Sequence, residues 1–372
     1  MSKPKICFCA LNAYPLLAKS NFEFIGGAEL QQVLIAKELA KNGYDVSFVV
    51  FDEGQKPLEL VDGISIYTSV KRGYSLTGPK TIYSAIKKIW NAMEKADGDI
   101  YFQRCASYFT GFVALFCLLK GKKFVFQMAH DSDADGSFIK NSHLYAKALY
   151  YFGIKRANIV TAQNTFQQQL LKKTYGRNSE LIKNICFTEK IDKSSSKTLT
   201  VLWAGTIKKE KQPELFLELA KALPEAKFQM IGASPKNIGA YYENFQEMAK
   251  KIKNLEMVGF VPYHLINQYF IKSSVFVNTS TLEGFPNTFL QAWMTYTPVI
   301  SLNVDPDEVI CKNNSGFHSK TFNQMVNDTK LLLNEETLRN QLGLNGRMYL
   351  EAEHDSNKII QKYMKIFDNL IK

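Results

Sequence analysis

The sequence predicts an α/β protein of two doubly wound, parallel-sheet domains facing across a cleft. Three observations carry that expectation. Short apolar runs alternate with amphipathic helical segments from end to end. A single polar stretch breaks the alternation, which then restarts. And 372 residues suit two cores of roughly 150–200 residues better than one.

In the first half, strands are expected near residues 5–10, 45–51, 64–68, 99–103, 123–128 and 158–162. Most are apolar at consecutive positions, as expected of strands covered on both faces. Helical periodicity fills the gaps at 28–41 and 80–95. Repeated βα units of this kind imply a parallel sheet with helices on both sides. Residues 189–197 (EKIDKSSSK) read as a linker. Beyond it, strands are expected near 199–204, 227–231, 256–260, 275–278 and 299–302. A helix begins at Pro213 and buries Leu215, Phe216, Leu219 and Leu223. The last helix, 357–370, carries Ile359, Ile360, Met364, Ile366 and Phe367. The implied units are two Rossmann-like domains, 1–190 and 198–355, followed by a tail helix within 356–372. Ligands of open α/β sheets bind beyond the carboxyl ends of the strands.

Composition narrows the function classes. Hydrophobic residues at 46% and charged residues at 22% describe a globular chain, not a disordered one. No signal-peptide pattern opens the sequence, and the longest apolar stretch, 111–119, is too short to span a bilayer. Six cysteines without CxxC or metal-ligand spacing fit a reducing, cytoplasmic compartment. Cys7 and Cys9, two apart on a strand, are expected to fill one face of a core. The net charge of +11 comes with repeated basic pairs. It fits either a lysine-rich solvated surface or anionic partners, a membrane face or a phosphorylated substrate, and no nucleic-acid-binding module accompanies it.

Three loops follow a strand and precede a helix. Gly26-Gly27 opens the first long helix, where glycine permits close backbone approach and the helix start favours anions. Residues 205–211 (GTIKKEK) put lysines before the helix at Pro213, which suits a diphosphate. Residues 279–293 (TSTLEGFPNTFLQAW) end a strand at Asn278, turn at Glu283-Gly284 and start a helix at Pro286. That helix is expected to bury Phe289, Leu290, Trp293 and Met294, with Thr288, Gln291 and Thr295 on the opposite face. Glu283, the helix-start amides and Gln291 would then surround one small volume, a cradle for a polyhydroxylated anion.

This third stretch resembles the E-x7-E signature of retaining glycosyltransferases of family 4, which have the GT-B fold. Thr297-Pro298-Val299-Ile300 resembles its G-x-P-V-[IV] continuation, and the loop ending at Lys211 resembles the G-R-x4-K diphosphate loop. Residues 124–130 resemble the segment that sets a histidine near the transferred sugar, and Gly26-Gly27 matches as well. The resemblance implies a metal-independent, retaining transfer of a sugar from a nucleotide diphosphate sugar, with no further cofactor. Cell-surface polysaccharide or glycoconjugate synthesis is the implied setting. Glu283 and the backbone of Gly284, Phe285, Pro286, Asn287 and Thr288 would hold sugar hydroxyls and phosphate. Gln291 would meet the ribose, Lys211 the leaving diphosphate and His130 the anomeric centre. Gly26 and Gly27 would line the phosphate or acceptor side. Two positions depart from the pattern. Gln291 stands for the second glutamate, and Thr206 for the arginine, whose charge Lys208 can replace. The first domain would take a glycan or lipid-linked acceptor, and the second the donor. The tail helix would pack back toward the first domain, and the protein would work in the cytoplasm at the inner membrane face.

Residues 131–135 (DSDAD) offer DxD spacing but are read as a mobile polar loop, not a metal site. His143, His264, His318 and His354 are read as ordinary surface or core histidines. The segment 143–156, rich in aromatic and basic residues, reads either as a contact for anionic membrane or as aromatic packing in the core. Two other functions fit the same architecture: a nucleotide-sugar epimerase, and a non-catalytic binder of sugar nucleotides or glycans.

Overall fold

The computed structural model describes residues 3–18, 26–75, 77–188, 198–233 and 239–372. The expected linker 189–197 lies outside the described residues. The chain divides into two compact units. One runs to Ile185 and adds Ser356–Lys372, and the other is Cys186–Asp355.

The first unit holds strands β1 (Ile6–Cys9), β2 (Val46–Asp52), β3 (Leu58–Val61), β4 (Ile64–Lys71), β5 (Ile100–Arg104), β6 (Lys123–Gln127), β7 (Ile159–Ala162) and β8 (Glu180–Leu181). They form one sheet in the order β3-β4-β2-β1-β5-β6-β7-β8. All neighbours are parallel except β3 and β4. The β3–β4 hairpin turns through Asp62 and Gly63, both at positive φ, the conformation that Asp-Gly favours in a two-residue hairpin. That dipeptide was the available signal for β3, a strand missing from the sequence-based expectation. β8 is too short to leave a pattern.

β1 is buried on both faces, and its alternation sorts the packing. Cys7 and Cys9 face a core with Tyr101, Phe116 and Phe124. Phe8 points the other way, its ring 5.0 Å from both Phe48 and Phe102. The tail helix Ser356–Ile371 covers that second face, with Tyr363 and Phe367 against Phe102. Polar bonds fix it further. Tyr44 donates to Asp368 at 2.7 Å, and Gln127 donates to the Tyr363 hydroxyl at 2.5 Å.

The second unit holds β9 (Thr198–Ala204), β10 (Lys227–Ile231), β11 (Leu255–Gly259), β12 (Ser273–Asn278), β13 (Val299–Ser301) and β14 (Gly316–His318). All pairings are parallel, in the order β11-β10-β9-β12-β13-β14. The winding reverses between β9 and β12, which makes the crevice at their carboxyl ends the topological switch point.

The helix Asn287–Met294 corrects the two-faced expectation. Gln291 and Thr295 are buried, as are Phe289, Leu290, Trp293 and Met294. Two neighbours enclose them: Gln291 donates to Asn267 on the helix Tyr263–Lys272 and Thr295 lies against Thr297, while the helix Glu336–Glu353 covers the Trp293 side. A Cβ at Gly346 would sit 2.1 Å from the Trp293 ring, and Arg347 donates to the Met294 carbonyl at 2.7 Å. Of the three residues expected to face outward, only Thr288 remains partly exposed, so the helix is not amphipathic along its length.

Candidate active site

Both loops that the sequence singled out in the second unit leave the sheet at its switch point. Residues 205–212 follow β9, and residues 279–286 follow β12, the strand paired beside it. The two loops are sewn together. Trp203 Nε1 donates to Thr279 Oγ1 at 3.0 Å, and that hydroxyl donates to the Lys211 carbonyl at 2.6 Å. The Thr281 amide donates to the Glu210 carbonyl at 2.9 Å. At the surface of this seam Lys211 Nζ pairs with the Glu283 carboxylate, which also accepts from Ser280 Oγ at 2.8 Å. The sequence reading gave these two residues separate ligand roles and did not anticipate that they pair.

The backbone at the seam is constrained. Gln212 has φ 45° immediately before Pro213, a left-handed conformation uncommon for a side-chain-bearing residue. Gly232 approaches Gly205 so closely that a Cβ there would lie 2.1 Å from the Gly205 carbonyl oxygen. Thr206 and Lys208 are partly exposed on the same loop. Pro286 is the residue preceding the helix and not its first turn. Gly284, Phe285 and Pro286 are buried, while Asn287 and Thr288 remain partly exposed at the helix start. Gln291 is enclosed, and its amide nitrogen donates to Asn267 Oδ1 at 3.4 Å.

In the first unit, Gly26 precedes the helix Gly27–Lys41. The Glu29 carboxylate folds back over it, so that a Cβ at Gly26 would lie 1.9 Å from a carboxylate oxygen. Asn12 donates to Glu29 at 3.4 Å and accepts from Arg72 at 2.7 Å. A carboxylate therefore already stands at this helix start, which suits hydroxyl donors better than a phosphate.

His130 follows β6. Its Nδ1 accepts the Ser132 amide at 3.3 Å and lies 2.9 Å from Ser132 Oγ. The stretch 131–135 departs from the expected mobile polar loop. It begins with a tight turn in which Asp131 and Asp133 are buried. Asp133 Oδ2 accepts the Ala129 and His130 amides at 2.7 and 3.2 Å, and Asp131 accepts from Gln167 at 3.0 Å. Burial pushes Asp131 up to about 6, against the opposing effect of Gln167. These carboxylates shape the histidine's loop. Among the described residues, the grouping with metal-ligand character is Asp305, Cys311 and His318. There Asp305 already accepts the Ile310 and Cys311 amides.

Sequence reasoning also missed Arg104 at the end of β5. It is buried and donates to Gln127, Gln163 and Asn184 at 2.9, 3.0 and 2.9 Å. Burial lowers its pKa. A lone arginine at a strand end carries no sequence signal of such a network.

Comparison with known proteins places these features in a family. Residues 25–186 match the family described as Glycosyltransferase Family 4, and residues 187–349 match Glycosyl transferases group 1. The two matches are consecutive and together span most of the chain. An uncharacterized glycosyltransferase of Haemophilus influenzae is 26% identical over 364 residues, covering 93% of this chain and 97% of that protein. Among solved structures, sucrose-phosphate synthase from Thermosynechococcus elongatus superposes with a TM-score of 0.80 at 14% identity, covering 99% of each chain. Anabaena HepE in complex with UDP and glucose superposes with a TM-score of 0.76 at 14% identity, covering 98% of this chain and all of that one. At such identities the structural likeness establishes the fold, which is GT-B.

Proposed function

Since this chain belongs to the family 4 glycosyltransferases, we propose that it moves a sugar from a nucleotide diphosphate sugar to an acceptor hydroxyl, with retained configuration and without a metal ion. The acceptor is a glycan or a lipid-linked glycan made for a cell-surface polysaccharide or glycoconjugate, met at the cytoplasmic membrane face. The observation that carries this reading is the meeting of Lys211 and Glu283 at the switch point of the second unit.

In this reaction the bond from the anomeric carbon to the phosphate oxygen breaks, and a bond to the acceptor oxygen forms. Negative charge grows on the leaving diphosphate. Lys211, Lys208 and the backbone N–H groups of Gly284, Phe285, Asn287 and Thr288 stabilise that charge at fixed positions, which costs little reorganisation. Glu283 accepts from sugar hydroxyls, Gln291 serves the ribose side, and His130 sits beside the anomeric centre. The leaving phosphate takes the acceptor proton, so no dedicated base is needed. The Glu29 carboxylate over Gly26 and Gly27 favours the acceptor for that loop, because a hydroxyl can donate to it and a phosphate cannot.

HepE was crystallised with UDP and glucose, so UDP-sugars head the donor screen. Ligand at 100 times its Kd raises stability by about 2.7 kcal/mol, readily seen as a melting shift. Nucleotide diphosphate release is then measured with a panel of acceptors. Donor binding with no release from any acceptor would favour the non-catalytic reading, and sugar isomerisation without acceptor would favour the epimerase.

A further inference from the structure

The first unit carries a surface that sugar transfer does not use. The helices Tyr108–Lys120 and Leu144–Arg156 cross in backbone contact through two glycines. A Cβ at Gly111 would lie 2.2 Å from the Leu149 carbonyl oxygen, and one at Gly153 would lie 2.8 Å from Thr110. The pair therefore presents one continuous outer face. On the first helix Tyr108, Leu115 and Leu119 recur at helical spacing and are exposed. On the second, Leu144 and Tyr151 do the same, with Tyr145 beside them. The exposures are large, 83% for Leu144, 66% for Leu119 and 61% for Tyr145. The Tyr108 and Tyr145 rings lie 6.5 Å apart, bridging the helices.

Scattered exposed apolar residues need no explanation, but an adjoining set of this size does. Charge identifies what covers it. Neither helix contains an acidic residue. Lys147, Lys155 and Arg156 stand on the second helix, and Arg156 lies over the Phe152 ring. Between Arg104 and Arg177 the only acids are Asp131, Asp133 and Asp135, and the first two are buried. Leucine, tyrosine and cationic side chains on one helical face are the combination that settles at a lipid headgroup boundary.

We propose that this face docks on the surface of an anionic phospholipid bilayer. The helices lie along the headgroup region, with Leu119, Leu144 and Tyr145 immersed and the cations against lipid phosphates. Among the described residues no helix is long and apolar enough to cross a membrane, so the contact is a peripheral one. The docking gives the enzyme access to lipid-linked acceptors. In that purpose it rests on the proposed reaction, while its test does not.

The test is flotation of the full chain with vesicles of phosphatidylcholine alone or with about one third phosphatidylglycerol, without donor or acceptor. Partitioning is expected to be at least about tenfold stronger on the anionic vesicles and to fall at least about fivefold between roughly 0.05 and 0.5 M salt. Leu119→Glu/Leu144→Glu/Tyr145→Glu is expected to lose about tenfold, and Lys147→Glu/Arg156→Glu a similar factor. All of these positions are at or near the surface, and melting curves check that the variants fold. Both variants should release nucleotide diphosphate with a water-soluble acceptor at the wild-type rate, which separates failure of docking from failure of catalysis. Equal binding to the two vesicle types overturns the proposal, as does wild-type binding by the apolar triple variant. So does a concentration-dependent dimer in sedimentation velocity that the triple variant abolishes, since the face would then join two copies of the chain.

Discussion

Lys211 and Glu283, 72 residues apart, meet as an ion pair on the seam between the loops that follow β9 and β12. Both side chains are mostly buried, at 23% and 14% exposure. Without a ligand each supplies the other's counter-charge. A diphosphate arriving at this seam offers Lys211 a second, stronger partner and leaves Glu283 to accept from sugar hydroxyls. The pair therefore keeps both groups in place before substrate binds, and several predictions turn on it.

Lys211→Ala should lower kcat by at least about a hundredfold while weakening donor binding less than about tenfold, because charge on the diphosphate is greatest in the transition state. Glu283→Gln keeps the bond from Ser280 and should weaken donor binding more than Lys211→Ala does. Steady-state kinetics with direct donor titration separates the two effects. A wild-type kcat in Lys211→Ala would show the loop to be a solvated turn.

Activity should survive excess chelator, since lysines and helix amides take the part a divalent cation plays against a diphosphate. The carboxylates Asp131 and Asp133 are occupied by Gln167 and by the Ala129 and His130 amides. Loss of turnover in chelator, restored by manganese or magnesium, would refute the metal-free mechanism.

Gln291 is enclosed and bonded to Asn267. Gln291→Glu gives the ribose a charged acceptor, worth about 1.5–3 kcal/mol against about 0.5–1.5 for a neutral one. Desolvation of the new charge takes back part of the difference. Donor affinity should therefore tighten by less than about tenfold. Gln291→Ala should weaken donor binding more than it slows turnover. Calorimetric titration of both variants checks this, with melting temperature as the control for folding. Wild-type affinity in both would remove Gln291 from the ribose site.

Asp131 sets a pH dependence of stability. Burial raises its folded pKa to about 6, so between pH 4 and 6 the native state binds more protons than the unfolded chain. Stability contributed by this residue therefore falls as pH rises through that window. Two pKa units correspond to about 2.7 kcal/mol. Asp131→Asn can still accept from Gln167 and carries no charge to desolvate. It should melt higher than wild type at pH 7, with the advantage shrinking toward pH 4. An advantage independent of pH would show that Asp131 does not titrate in this range.

Gly346→Ala tests the helix that encloses Trp293. Helix propensity favours alanine by about 1 kcal/mol, whereas a Cβ 2.1 Å from the fully buried Trp293 ring forces overpacking that costs about 1–3 kcal/mol. The clash should win, lowering Tm by several degrees. An unchanged or raised Tm would mean that the helix moves away freely.

The elements of the sheets were readable because each followed a local rule. Central strands such as β1, β6 and β12 are apolar at consecutive positions, and the helix at Pro213 shows its start and its buried stripe. β8, with two residues, has too few positions to show a period, and β14 (Gly316–His318) offers a single apolar residue, Phe317, where β13 of equal length offers Val299 and Ile300. The hairpin strand β3 was signalled only by Asp62-Gly63. The donor half of the site was legible for the same reason: its residues lie in two short segments, 205–211 and 279–291, each with its own strand, turn and helix start.

What the sequence by itself determined was therefore the order of βα units, the two loops and the chemistry they carry. Tertiary structure decided which residues became partners. Lys211 reached Glu283 because β9 and β12, with two strands between them in sequence, are neighbours in the sheet. Gln291 was enclosed because the helix Tyr263–Lys272, earlier in the chain, sets Asn267 against it. Asp131 and Asp133 turned inward because the loop's amides and Gln167 needed acceptors there. Apart from the local bonds of Asp133 to the Ala129 and His130 amides, these contacts join segments far apart in the chain, whose closeness is set by sheet order and helix packing and leaves no mark on either segment alone.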